Sequence, residues 1–496
     1  MKRIDQLTFT RFIAIIVVLF FHGGGGVYVQ AVDVFPLSPI LISATTSVTY
    51  LYVLSGFVMS LVNYRPQEKF DTGKYWTARF VRLYPLYLIS FLLVCYYYID
   101  SIAQIKLQKT LTNVLVLQAW IPKYAQSFNY ASWSMTVEFF FYAVFPFFTL
   151  WAYRQSTKKL IWVSIIVWVI SQLIHNTLWV GYFPEYENFL VYFPLFHLSS
   201  FILGAVGGIW YLSEGREQRN KSSTGLLVFT GGVLLVFVYL IISSEITKFP
   251  HGIQLMTGLL APVLTIIIVA LALDKSRLST FLNNPVLVTL GETSYGLYIL
   301  HVPVIWIYQR TLENMSLANP QLIFDYTFLP LMITLGLLIH FYIDKPLRSW
   351  LKKILQRVSM PLLILDLVIV AVSVYLTFRL RIGSGREYDD VYRRFALLMF
   401  WSAFVLRTVF SVGFNALNPS ILYGSFVQFA RPVLISVTVG SAALSVIIFI
   451  GYSMGWFENF PRSIFVLDWA IMLALSLLVR FIFRRTGLYP PKSLST

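Results

Sequence analysis

Charge is what this sequence lacks most. Asp, Glu, Lys and Arg make up 12% of its 496 residues, against 57% hydrophobic. A soluble domain carries roughly 25% charged residues, so that class is excluded. Apolar runs of about 18 residues or more recur along the whole chain, the length that crosses a bilayer as a helix. Acid is scarcer than base, 22 residues against 38, giving a formal charge of +16. The basic residues fall in short loops between apolar runs, as cytoplasmic loops of membrane proteins do, so the charge calls for no nucleic-acid partner. Cysteine is nearly missing. Cys95 stands alone, which excludes an internal disulfide and a thiolate metal cluster. No phosphate loop, Gly-x-Gly-x-x-Gly or His-x-x-x-His spacing occurs, so neither a bound cofactor nor a metal is expected.

What is present reads as an all-α polytopic membrane protein, embedded in a lipid bilayer. Alternating apolar runs and basic loops predict ten helices over residues 1–355, near 8–28, 40–62, 76–98, 133–153, 160–180, 193–211, 225–243, 254–273, 286–309 and 325–343. The stretch Leu111–Ile121 is too short to span and is expected to be re-entrant or interfacial. A basic linker, Lys345–Met360, separates this ten-helix bundle from a four-helix module in residues 356–496, with spans near 362–380, 395–415, 430–452 and 463–483. Both termini are expected on the cytoplasmic side. Lys2, Arg3 and the run Phe12–Phe21, followed by Val29-Gln30-Ala31, also have the outline of a cleavable leader; we read the segment as the first transmembrane helix.

Few polar residues interrupt the apolar runs, and those few carry the chemistry. Arg11 and His22 lie eleven residues apart in the first helix, roughly three turns and about 16 Å, so they share one face. An Arg within an apolar span costs about 2.5–3.5 kcal/mol on insertion scales and marks a functional site by default. Arg79 and Arg82, at i,i+3 spacing in the third helix, fall at the depth of Arg11. Three guanidiniums at one level suit the phosphates of an anionic ligand, although Arg79 and Arg82 also fit as headgroup anchors. Acyl-coenzyme A has the matching shape, charged at one end with a thioester at the tip of a long arm. His301 reaches the depth of His22, with Tyr295 and Tyr298 on the same helix below it. Glu138 enters from the other side to the same half, where a carboxylate can orient a general-base imidazole. The glycines 23–26 directly after His22 are expected to break the helix. His175, His197, His251 and His340 have no partner at a readable spacing.

These residues fall within motifs that resemble the integral-membrane acyltransferase 3 family. The matching stretches are Leu7–His22, Leu51–Met59 (LYVLSGFVM), Ala78–Tyr87 (ARFVRLYPLY), Ser132–Pro146 (SWSMTVEFFFYAVFP), Leu290–His301 (LGETSYGLYILH) and Tyr342–Pro346 (YIDKP), in that order. The resemblance implies transfer of an acyl group, often acetyl, from acyl-coenzyme A as co-substrate to sugar hydroxyls of bacterial surface or secreted glycans. It implies His22 as the catalytic base, with Arg11, Arg79 and Arg82 on the donor side; Glu138 is placed beside His22 by depth alone. Tyr295, Tyr298 and His301 would be acceptor-side or supporting residues. Two positions depart from the family pattern: Phe139 stands where the acid is usually doubled, and Asp344 replaces the usual Glu.

The C-terminal module resembles the membrane anchor of nucleotide-sugar epimerase/dehydratases of polysaccharide synthesis, through Pro361–Phe378, Phe460–Trp469 and Arg480. It carries no dinucleotide fingerprint, so epimerase chemistry is not expected from it. Asp366 and Asp468 read as structural polar residues, and the module as a dock for other polysaccharide-assembly proteins. The sequence as a whole is read as a bacterial inner-membrane O-acyltransferase, with acetyl-coenzyme A as donor and a polysaccharide or its lipid-linked precursor as acceptor. The competing readings are a transporter or flippase of a lipid-linked glycan and a non-catalytic assembly scaffold.

Overall fold

Proline explains much of how the long helices are joined, because it frees one carbonyl in the preceding turn. Pro303 cannot donate to the carbonyl of Ile299, which instead accepts from Ser90 Oγ and Asn129 Nδ2, each at 2.8 Å. Pro146 likewise frees Tyr142, whose carbonyl accepts from Trp76 Nε1 at 3.1 Å. In a segment without water such freed groups must find protein partners, and here each one pins a neighbouring helix.

The computed structural model describes residues 4–23, 43–68, 70–98, 107–215, 224–246, 258–355, 358, 360–383, 392–418, 420–421, 425–457 and 460–486. Among these no strand occurs. Two compact units result, Met1–Arg348 and Ser349–Thr496.

The first unit holds ten principal helices: α1 (Gln6–Gly23), α2 (Ala44–Asn63), α3 (Thr72–Tyr97), α5 (Trp133–Ala152), α6 (Thr157–Tyr182), α8 (Pro194–Trp210), α9 (Thr224–Ile246), α10 (Ala261–Leu273), α12 (Pro285–Asn314) and α13 (Pro320–Ile339). Short helices α4 (Leu107–Val114), α7 (Glu187–Tyr192) and α11 (Arg277–Leu282) connect them, and α14 (Lys345–Leu355) follows α13. The stretch expected to stop short of a span does so: α4 has eight residues and gives way to 3-10 turns. Tyr87 and Tyr84 of α3 donate to its Asn113 and Val114 carbonyls at 2.6 and 3.0 Å. Ten helices among the described residues are long and apolar enough to cross a membrane. The helix α12 is not one of them, although it has 30 residues, because it carries the polar side chains of the site.

Two glycine-bearing seams set the bundle's geometry. At Gly204 a Cβ would stand 1.9 Å from the Val53 carbonyl oxygen, so α8 and α2 meet backbone to backbone. At Gly291 a Cβ would stand 2.1 Å from the Thr8 carbonyl oxygen, so α12 lies equally close along α1. Thr8 faces Gly291 and His22 faces His301, so α1 and α12 run in the same direction. Buried Gln6 ties the start of α1 to the Leu271 carbonyl at 2.6 Å. The core between the helices is aromatic, with Phe141, Phe145 and Phe201 fully buried.

The second unit comprises α15 (Met360–Arg381), α16 (Arg393–Gly413), α17 (Phe426–Ser453) and α18 (Ser463–Thr486). Asp468 of α18 pairs with Arg407 of α16 and accepts from Ser373 of α15, while Arg407 also reaches Ser441 of α17 at 3.1 Å. One buried network therefore touches all four helices. Asp366 pairs with Arg480 at 2.6 Å. Both aspartates are thus partners of buried arginines. The segment Gly451-Tyr452-Ser453-Met454-Gly455 spells a hydrolase-like Gly-x-Ser-x-Gly. It closes a helix here, with Ser453 donating to the Phe449 carbonyl at 2.9 Å, and not the strand-to-helix turn which that chemistry needs.

Candidate active site

Parallel packing of α1 on α12 places one polar side chain of α12 beside each end of the Arg11–His22 face. Three residues of α12 at successive i+3 steps, Tyr295, Tyr298 and His301, line the seam. At its far end His22 Nδ1 lies 3.1 Å from His301 Nε2, with ring centroids 5.0 Å apart. His301 is fully buried, and its Nδ1 bonds the Tyr298 carbonyl. His22 is half-buried and meets Tyr130 at 5.0 Å between centroids.

At the near end a cavity of about 620 Å³ opens among α1, α2, α3, α12 and the α13–α14 corner. Its basic lining is Arg11, Arg65, Arg82, Lys345 and Arg348, with Glu292 and His340 beside them. Arg348 is held by Asp344 at 2.6 Å, and Glu292 lies 3.4 Å from His340. Arg11, Arg82, Ser294 and Tyr295 also line a second cavity of about 100 Å³, which continues past Ile15 to Tyr298, Ser134 and Glu138. Its far wall is Tyr298, whose hydroxyl donates to Ser134 Oγ at 2.7 Å. One helical turn beyond Tyr298 stands His301. Tyr295 hydrogen-bonds the Leu83 carbonyl at 2.5 Å, fixing α12 to α3 beside Arg82.

The structure brings together Arg11, Arg82, Glu138, Tyr295 and Tyr298, and separately joins His22 with His301. Two sequence expectations change. Glu138 does not orient His22: its carboxylate accepts from Tyr142 at 2.5 Å and Ser55 at 3.4 Å, and the side-chain partner of His22 is His301. Glu138 instead lines the second cavity with Arg11, Arg82 and Tyr295, apart from the His22–His301 pair. Arg79 lines neither cavity. Its guanidinium lies 5.6 Å from the Tyr75 ring and 5.8 Å from the Tyr142 ring, while i+3 along α3 Arg82 reaches the cavities. The helix begins at Thr72, capped by Asp71, so both arginines sit well inside it. Of the glycines after His22, Gly23 ends α1, and 24–26 lie outside the described residues.

Sequence reasoning missed Arg65 and Arg348 as site residues, reading both as loop anchors, and read His340 as partnerless. A ligand-binding arginine and a headgroup anchor share one signal in sequence, namely a basic residue at a span's end. The remaining histidines serve the scaffold. His175 and His197 bond the carbonyls of Leu190 and Val191 at 3.0 and 2.9 Å, and His251 lies outside the described residues.

A family model described as an acyltransferase domain, Acyl_transf_3, matches residues 4–343. The chain is 28% identical over 283 residues to the acyltransferase MdmB of Streptomyces mycarofaciens, covering 52% of this chain and 67% of that protein. It is 26% identical over 237 residues to a putative acetyltransferase, ORF330, of Acidianus two-tailed virus, covering 47% and 65%. With the O-acetyltransferase OatA of Staphylococcus aureus it shares 25% identity over 276 residues, covering 51% and 45%. The chain therefore spans about two thirds of the first two relatives and under half of the third. No solved structure matches.

Proposed function

This chain belongs to the acyltransferase 3 family, and from that premise we propose that it is a membrane O-acetyltransferase acting on a bacterial polysaccharide. The donor is acyl-coenzyme A, acetyl-coenzyme A in the first instance. The acceptor is a sugar hydroxyl of a surface or secreted glycan or of its lipid-linked precursor. One observation carries the reading: an arginine-lined cavity joined, through Arg11, Arg82, Ser294 and Tyr295, to a second cavity that reaches Tyr298, one helical turn from the His22–His301 pair. Guanidiniums bind phosphates bidentately, which suits the charged end of the donor. A long arm running from Arg11 toward His22 would cover about 16 Å.

In the reaction we propose, His22 takes the proton of the acceptor hydroxyl while its oxygen attacks the thioester carbonyl. The carbon–sulfur bond breaks, and the coenzyme A thiolate leaves and recovers that proton. In the covalent variant His22 itself attacks first, releases the thiolate, and passes the acyl group to the hydroxyl. In this reading the arginine end faces the cytoplasmic side of the inner membrane and the histidine pair lies toward the outer half, with both termini cytoplasmic; the basic loops support that orientation. The second unit would then dock partners of polysaccharide assembly.

The test is the O-acyl content of the host's surface polysaccharide, read by NMR, in a deletion strain carrying wild type or His22→Ala at matched membrane levels. Wild type should restore acylation, and His22→Ala should fall by about 10²-fold or more. Equal restoration by both would remove His22 from the chemistry. Unchanged acylation with missing polysaccharide would favour a transporter or scaffold.

A further inference from the structure

We propose that His301 is the positioning residue of this site: it holds His22 as the tautomer protonated on Nδ1 and leaves the lone pair of Nε2 for the reaction. The proposal rests on the acyltransferase reading above and extends it from which residue reacts to which atom.

A carbonyl oxygen only accepts, so His301 Nδ1, bonded to the Tyr298 carbonyl, must carry a hydrogen. His301 is fully buried, and its ring neighbours, His22 and Tyr298, supply no carboxylate. A second proton would place an ion there without a counter-charge, so the ring is neutral and its Nε2 is bare. That bare nitrogen lies 3.1 Å from His22 Nδ1. A hydrogen bond at that distance needs a hydrogen, and only His22 Nδ1 can supply it. Neutral His22 then has its lone pair on Nε2.

The support beneath His301 is equally fixed. Pro303 frees the Ile299 carbonyl, and Ser90 and Asn129 clamp it at 2.8 Å each. Tyr298, whose carbonyl orients His301, is itself anchored through its hydroxyl to Ala131 and Ser134 at 3.0 and 2.7 Å. Two donors, Ser90 and Asn129, and two acceptors, the Ala131 carbonyl and Ser134 Oγ, thus hold the one turn of α12 that carries His301. In a His–carboxylate pair the orienting group also neutralises the imidazolium. A neutral imidazole orients without neutralising, so His301 sets direction and leaves His22 unassisted in holding charge.

The experiment is ¹⁵N NMR of histidine-labelled full-length protein in lipid nanodiscs, above the pH at which His22 is neutral. The His22 signals are assigned by their loss in His22→Gln. Wild type should show a protonated Nδ1 and a bare Nε2. His301→Gln, whose amide oxygen can accept at the place of Nε2, should keep that pattern and retain turnover within about tenfold. His301→Leu should release the ring to a mixture of tautomers and lower kcat by about 10²–10⁴-fold, the range seen when a catalytic histidine loses its correct tautomer or proton-transfer role, with donor KM within about twofold. A wild-type His22 protonated on Nε2, or a His301→Leu protein that keeps the Nδ1 form, would overturn the proposal. The tautomer is read without donor or acceptor. Correct tautomers in a protein that transfers no acyl group would therefore count against the acyltransferase reading and not against the role of His301.

Discussion

Two arginines three residues apart on one helix have different surroundings, and that difference is testable. Arg82 lines both cavities together with Arg11, whereas Arg79 lies between the Tyr75 and Tyr142 rings, 5.6 and 5.8 Å from their centroids. A hydrogen bond to a charged group contributes about 1.5–3 kcal/mol, and each 1.4 kcal/mol is about tenfold in affinity. Arg11→Ala or Arg82→Ala should therefore weaken acetyl-coenzyme A binding by about 10- to 100-fold in a direct binding titration. Arg348→Ala should follow in the same direction, since Asp344 aims that guanidinium at the same cavity from 2.6 Å. Arg79→Ala should change donor affinity by less than about threefold and act instead through Tyr142, which bonds Glu138. Equal losses at Arg79 and Arg82 would mean that the donor reaches beyond the two cavities.

Helices and their order were legible because an apolar span is a long signal, and the structure accounts for the bounds. The span expected at 286–309 begins at Pro285 behind an Asn284 cap, and that at 133–153 runs Trp133–Ala152. Within the site, the levels of Arg11 with Arg82 and of His22 with His301 were legible, but the partner of Glu138 was not. Depth follows from counting residues at about 1.5 Å each, whereas partnership depends on rotation about the helix axis and on which helices touch. So Glu138 was assigned to His22 when Tyr142, four residues on, is its neighbour. Close seams were equally hidden, since a glycine in an apolar run looks alike in lipid and at an interface. Gly291→Ala would set a methyl group 2.1 Å from the Thr8 carbonyl and force α1 from α12. Overpacking of this kind costs about 1–3 kcal/mol, and it would also part His22 from His301. A lowered melting temperature in detergent with loss of transfer is expected. Gly181→Ala on α6, with open space around it, should melt at or slightly above wild type. Equal melting of the two variants would show that the seam is softer than its backbone contact implies.

Across the whole molecule, ionisable groups are buried in two different ways. In the first unit Arg11, Arg65, Arg82 and Arg348 face a cavity, as a site that must admit a charged ligand requires. In the second unit Arg407, Asp468 and Arg480 are each 1% exposed and are spent in ion pairs, Arg407 with Asp468 and Arg480 with Asp366. An Arg in an apolar helix such as Leu398–Gly413 was a readable sign of a polar site, but only the fold shows that its partner lies on α18. A buried pair is weak evidence of stability, because desolvating both ions offsets most of their attraction, yet removing one partner strands the other. Arg407→Met alone should therefore destabilise the full-length protein by about 3–5 kcal/mol, seen as a lower melting temperature in detergent. Arg407→Met with Asp468→Leu should recover most of that loss. Ser373, which donates to the Asp468 carboxylate, keeps a partner in the double variant because the Asp468 backbone carbonyl is 3.2 Å away. Acetyl-coenzyme A binding, which the proposed function assigns to the first unit, should be the same in wild type and in the double variant. A double variant as unstable as the single one would show that the charges hold the four helices in register beyond their mutual pairing. An unaffected single variant would mean that water or lipid headgroups already reach Asp468.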